Sequence, residues 1–154
     1  MPATTRPQVD PRGLRLSAAI TSVVLGLVLL TGSGWLLLAQ ALVFAIGAGL
    51  GVGRSPYSLL FRSLVRPRIG PPVETEDAAP PRTAQAVGLV FAAAGTVALF
   101  VGAHTVGLVA TAAALVAALL NATVGLCLGC ELHLSLTHTR ARLTRRTSSR
   151  GVTA

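Results

Sequence analysis

Two long stretches without a formal charge constrain this chain more than any other feature. Residues 16–53 and residues 83–130 contain no Asp, Glu, Lys or Arg, leaving 38 and 48 consecutive neutral residues. A bilayer core takes about 20 apolar residues per helix, so each stretch is two spans long. A single helix of the shorter stretch would measure about 57 Å, against a hydrocarbon thickness of about 30 Å. Each stretch must therefore turn back once. Thr31-Gly32-Ser33-Gly34 marks the first turn, and Gly102-Ala103-His104-Thr105 with Gly107 marks the second. The sequence thus predicts an all-α membrane protein of four transmembrane helices in two hairpins. The spans fall at about 14–31, 34–53, 84–102 and 106–127.

Composition agrees. Hydrophobic residues make up 52% of the 154 and charged residues 12%, where soluble domains carry about a quarter charged. The formal charge of +8 resembles a nucleic-acid signature until the positions are read. All 13 basic residues are arginine. Arg6, Arg12 and Arg15 precede the first span; Arg54, Arg62, Arg66, Arg68 and Arg82 separate the second from the third; Arg140, Arg142, Arg145, Arg146 and Arg150 follow the fourth. Every one falls on the same side, which the positive-inside rule places in the cytoplasm. The expectation is a multi-pass protein of the cell membrane with both termini cytoplasmic and no nucleic-acid partner. Its partner is the lipid bilayer, anionic headgroups included. The chain divides into a cytoplasmic N-terminus (1–13), a transmembrane domain (14–134) with a cytoplasmic loop (54–83), and a basic tail (135–154) expected to be disordered. The first span has the basic flank of a signal peptide, but no clean small-x-small site follows it and the next apolar segment begins at once. It reads as uncleaved.

Helices in lipid associate by close packing at small residues. Small residues recur every four positions at Ala41, Ala45, Gly49 and Gly53, at Ala84, Gly88, Ala92 and Thr96, and at Ala110, Ala114 and Ala118; Ala117, Asn121, Gly125 and Gly129 form a further stripe. These stripes would serve a four-helix bundle or a homo-oligomer equally. Asp10 and Pro11 suit the start of the first helix. An offset of 70 aligns Pro11-Arg12 with Pro81-Arg82 and Gly32 with Gly102, which hints at a duplicated hairpin. In the loop, Tyr57, Leu60, Phe61 and Leu64 share one helical face and Ser58, Arg62 and Arg66 another, as in an amphipathic helix lying in the membrane interface or packed under the bundle. Residues 70–81 are Pro-rich and acidic, and read as a semi-rigid linker.

Cys127 and Cys130 are the two cysteines, in Cys-Leu-Gly-Cys. A spacing of three puts both sulfurs on one helical face, close enough for a disulfide. Such a pair can exchange disulfides, stay reduced, or donate two metal ligands. Glu131 rather than His follows Cys130, which excludes covalent c-type haem. Cys127, Cys130 and His133 with Glu131 or His138 would make a metal donor set; an exposed interfacial His is the commoner arrangement, and no cofactor or metal is expected. The pair sits at a helix C-terminus beside Glu131, and both features disfavour thiolate. The arginine-rich tail would offset this if it returned nearby. Gln40, Gln85 and Asn121 lie inside spans, where an interhelical hydrogen bond is the usual role. No span carries an acid or a base, which argues against a proton-coupled transporter or pump. No phosphate loop, catalytic triad pattern or HExxH is present, so an enzyme is the less favoured reading.

The segments VDPRG (9–13), RSPYSLLFRSLVRPRIGPP (54–72), PPRTAQAVGLVFA (80–92) and CLGCEL (127–132) resemble DUF4395, an actinobacterial family of membrane proteins of unknown function. The resemblance spans nearly all of 9–134 and implies four spans. It also implies a genomic neighbourhood of thioredoxin-like and thiosulfate sulfurtransferase proteins, which favours a thiol or sulfur role with such a cytoplasmic partner. Family members often carry an aromatic residue where His133 stands, which weakens His133 as a ligand. Two functions fit. One is a membrane partner of a thiol-redox or sulfur-transfer system, with Cys127 and Cys130 as its dithiol. The other is a scaffold or subunit without chemistry, in which bulky changes at Gly49 or Gly125 would disrupt assembly.

Overall fold

Asp10 starts the first helix: its carboxylate accepts the Arg12 backbone N–H at 3.0 Å, and Pro11 fills the first helical position. In this computed structural model, which describes residues 7–72 and 74–124, helix α1 runs Pro11–Thr31 and α2 runs Gly34–Gly49. A 3-10 turn, Val52–Arg54, leads to α3 (Pro56–Leu60), a π-helical turn (Phe61–Val65) and α4 (Arg66–Ile69). Two long helices complete the bundle, α5 (Ala79–Phe100) and α6 (His104–Thr123). A two-residue strand β1 (Gln8–Val9) pairs antiparallel with β2 (Glu76–Asp77), tying the segments that lead into α1 and α5. Asp77 accepts the Ala79 N–H at 2.9 Å, much as Asp10 serves α1.

Three helices, α1, α5 and α6, are long and apolar enough to cross a membrane. Their outer faces expose large apolar side chains along the whole length, among them Val23, Leu30, Val90, Val97, Val109 and Val116. Such a belt is stable against lipid tails and not against water. The fourth apolar helix, α2, has 16 residues, about 24 Å of axis. The sequence predicts a span reaching 53. The helix stops at Gly49 because alternate glycines at 47, 49, 51 and 53 make further turns entropically costly, and Gly51 takes φ 101°, outside helical backbone. At their starts α1 and α5 begin earlier than the expected 14 and 84, and the expected span 106–127 runs past Val124, the last described residue.

Gly32 (φ 65°) and Gly102 (φ 83°) close the helices at one end, where their left-handed backbone accommodates the turns expected there. Consecutive helices are antiparallel, but the strongest packing is not within the consecutive pair α1–α2. Helix α2 packs most extensively on α5, α1 on α6, and α5 on α6. Along the α2–α5 seam Gly34 faces Phe100, Phe44 seats its ring over Gly88, and Gly47 meets Gln85. Leu25, Val28, Leu37, Phe44, Ala92 and Leu99 form the buried core beneath these crossings.

Helices α5 and α6 touch at backbone distance. A Cβ on Gly107 would lie 2.7 Å from the Leu99 side chain and 3.1 Å from the Gly95 carbonyl oxygen; one on Gly95 would lie 2.9 Å from Leu37. Buried Thr96 and Thr111 satisfy their hydroxyls on carbonyls four residues back, at 2.7 and 2.8 Å. The small-residue stripes therefore mark the right helices but not every critical position: a methyl group added at Gly49 would meet nothing within 4 Å. We expect Gly107→Val to lower bundle stability by about 1–3 kcal/mol and Gly49→Ala to change it by less than about 1 kcal/mol, both read from thermal unfolding in detergent.

Candidate functional site at the arginine-bearing end

Cys127 and Cys130 lie outside the described residues, as do Glu131, His133 and His138. The described part of α6 delivers the chain to Val124 at the end opposite the Gly32 and Gly102 turns. Arg12, Arg15, Arg54, Arg62, Arg66, Arg68 and Arg82 gather at that same end, around the starts of α1 and α5 and the connection between α2 and β2. Three of the four segments that carry the family resemblance, 9–13, 54–72 and 80–92, meet here.

Arg82 closes α2. Its Nε donates to the Ala48 carbonyl at 2.5 Å and its Nη2 to the Gly49 carbonyl at 2.7 Å. A guanidinium is well placed there, because the last carbonyls of a helix are unpaired and carry the negative end of its dipole. Helix α2 has no basic residue in its own last turn, so the cation comes from the neighbouring helix. Arg12 does related work at the start of α1. It pairs with Asp10 at 3.3 Å and donates from Nη2 to the Gly70 carbonyl at 3.4 Å, holding the end of α4.

The α3–α4 segment is wedged against the bundle. Phe61 is 3% exposed, and its ring lies over Gly13, whose missing side chain makes room for it. Leu59, Leu60 and Leu64 face outward beside Arg62 and Arg66. The expected face of Tyr57, Leu60, Phe61 and Leu64 is thus split between inside and outside. Leu60 precedes the π-helical turn at Phe61–Val65 and is already turned outward beside buried Phe61; the turn itself accounts for Leu64, since it is wider and rotates the residues after Phe61 relative to those before. Pro67 provides the cause: it cannot donate to the Ser63 carbonyl, and the wider turn absorbs the mismatch.

Tyr57 reaches into the bundle from this wedge. Its hydroxyl donates to Gln40 Oε1 at 2.7 Å, and Gln40 Nε2 reaches Thr21 Oγ1 at 3.5 Å. Gln40 is 1% exposed and Thr21 5%. The three side chains join α1, α2 and α3 through a buried polar contact. The sequence signals Gln40 as an interhelical donor but not its partners; Thr21 is one of many hydroxyls, and Tyr57 reads as part of an apolar face. Gln85 departs from its expected role, because its Oε1 is buried without a partner. Among the described residues no group of three His, Cys, Asp or Glu is close enough to hold a metal ion.

Burial raises the pKa of Tyr57 above its ordinary 10.0. It is the single tyrosine, so phenolate absorbance reports this contact alone. The folded protein should titrate above 10.0 and return to about that value on unfolding. Because the unfolded chain ionises first, this group's contribution to stability is constant below about pH 10 and falls as pH rises from there toward the folded pKa. Tyr57→Phe, which leaves buried Gln40 Oε1 unpaired, should cost about 1–3 kcal/mol in the same unfolding measurement.

The model of the domain of unknown function DUF4395 matches residues 9–138. No curated protein and no solved structure matches the chain. With three of the four segments meeting at one end of an apolar helical bundle, and the family model covering residues 9–138, the chain belongs to the DUF4395 family.

Proposed function

We propose that this protein is a four-span membrane component, in two hairpins, whose arginine-bearing end faces the cytoplasm and presents Cys127 and Cys130 as a dithiol to a cytoplasmic thioredoxin-like or sulfurtransferase partner. The observation that carries this reading is the Cys-Leu-Gly-Cys spacing just past α6, since α6 arrives at the arginine-bearing end. The positive-inside rule supports the orientation. The short α2 spans if the bilayer thins or the flanking residues reach the interface, at a modest energetic cost. In exchange, one thiolate of the pair attacks a disulfide of the partner, giving a mixed disulfide and one partner thiol. The second cysteine displaces the other partner thiol. The result is a Cys127–Cys130 disulfide here and a dithiol there, with two electrons and two protons passed to the partner.

A non-catalytic scaffold or subunit is the alternative. It is favoured by the direction of α6, which offers the cysteines no help toward thiolate, and by tight glycine crossings that give the bundle rigidity without a polar relay. Trapping thiols in acid and tagging them with a mass-shifting maleimide separates the two. The dithiol reading expects an oxidant-induced Cys127–Cys130 disulfide that thioredoxin clears, and loss of that exchange in the Cys127→Ser/Cys130→Ser protein with membrane insertion intact. Thiols that stay reduced and label slowly even at alkaline pH would leave the scaffold.

A further inference from the structure

Several arginines at the arginine-bearing end are committed within the protein. Arg82 serves the Ala48 and Gly49 carbonyls, Arg12 serves Asp10 and the Gly70 carbonyl, and Arg68 turns back onto the Leu64 carbonyl. Arg62 and Arg66 are not committed: among the described residues their guanidiniums make no hydrogen bond and no ion pair. Yet the two stand together. Both line a cleft of about 320 Å³ between the α3–α4 segment and the start of α1. Both also line the open face of that segment, which carries Leu59 and Leu60. The acid in the cleft is Asp10, and Arg12 already meets its charge. The pair therefore presents two uncompensated positive charges at one place.

The same segment exposes apolar surface beside those charges. Leu59, Leu60 and Leu64 stand outward, while Phe61 is buried over Gly13. The Phe61 contact also fixes the height of the segment on the bundle. Gly13 is the third residue of α1, so the leucines lie level with the end of that helix's apolar length. For a bundle seated in a bilayer this height is the headgroup region, where acyl chains and phosphates are both within reach. A soluble anion would meet the arginines and leave the leucines in water. An uncharged apolar ligand would cover the leucines and leave the arginines unmet. A zwitterionic lipid brings a cation of its own toward the pair. A phospholipid of net negative charge satisfies both features.

We propose that the α3–α4 segment is a docking site for one anionic phospholipid. The lipid phosphate sits between the Arg62 and Arg66 guanidiniums, with the Ser58 hydroxyl of the same cleft as a further donor. Its acyl chains lie against Leu59, Leu60 and Leu64. The inference rests on the reading of the chain as a membrane protein and is independent of the cysteines. It goes beyond the inside-positive bias, which treats every arginine at this end alike: here the committed arginines hold the fold, and the pair at 62 and 66 selects a lipid.

The test uses the full chain in detergent micelles, titrated with phosphatidylglycerol and, separately, with phosphatidylcholine, the bound lipid being counted by native mass spectrometry. Saturable retention of one phosphatidylglycerol per chain, at concentrations where phosphatidylcholine is not retained, is expected. Arg62→Gln/Arg66→Gln should weaken that retention about thirty-fold, at about five-fold per arginine. Both side chains are exposed, so the variant keeps its fold. Arg54→Gln, in a separate cleft beside the start of α5, should weaken it by less than about two-fold. Excess glycerol phosphate, which has the head without the chains, should not displace the lipid. Displacement by it would mean a site for soluble phosphates and would overturn the lipid as occupant. Equal retention of both lipids, or equal losses in the Arg54 and Arg62/Arg66 variants, would overturn the site. Extraction of cell membranes with alkaline carbonate tests the underlying membrane reading separately. Release of the chain with peripheral proteins would overturn that reading, and a chain that stays with the lipid but shows no preference would overturn the docking site alone.

Discussion

A bilayer interior offers the backbone no hydrogen-bond partner, and the architecture follows from that constraint. It forces the neutral stretches into helices whose amides are satisfied internally. It also requires that buried side-chain hydroxyls find an acceptor on their own helix, as Ser17, Ser22, Thr96 and Thr111 do on the carbonyl four residues back. The remaining orphans are the helix ends. At one end Gly32 and Gly102 fold the chain back, with the Gly32 N–H returning to Val28 and the Ala103 N–H to Ala98. At the other, Arg82 supplies the donors that α2 lacks. Helix α2 can be short because its end is capped by a neighbour's guanidinium rather than left to the solvent.

Satisfied helices gain little from one another through hydrophobicity in lipid, so shape decides the packing. Large side chains of one helix are seated over glycines of the next: Phe44 over Gly88, Leu99 over Gly107, Phe61 over Gly13. These contacts link helices across the two sequence hairpins more than within the first. The pairs α1–α6 and α2–α5 are the ones a duplicated hairpin would relate, since exchanging the halves turns one into the other. The weak α1–α2 contact breaks that symmetry, and α3 and the π-helical turn, carrying Tyr57 and Phe61, pack against α1. The wedge thus ties the connection between α2 and β2 to the bundle core.

Much of this was legible in the sequence. Charge-free length located the four apolar helices, Gly32 and Gly102 located the turns, and Asp10-Pro11 located the start of α1. The long-range features escaped. Which glycine receives which side chain depends on helix rotation: within this chain a Cβ at Gly49 would meet nothing within 4 Å, while Gly95 and Gly107 carry the tightest backbone approach. Arg82 read as a topology signal, and nothing local marked it as the cap of a helix 33 residues earlier. The π-helical turn rotated the later residues of the α3–α4 segment, and helical periodicity alone has no means of expressing that. For the cysteines, the spacing is read from the chain itself and the direction of approach from the axis of α6.

In the proposed four-span topology α2 crosses the membrane despite its 16 residues, which would put the turn at Ser33 and the wedge at Ser63 on opposite sides. It is tested most directly by single-cysteine labelling in a Cys127→Ser/Cys130→Ser background with a membrane-impermeant maleimide. With α2 spanning, Ser33→Cys labels on intact cells and Ser63→Cys labels only after the membrane is opened. Labelling of both positions from the same side would mean that α2 does not span, and the four-span account would fall.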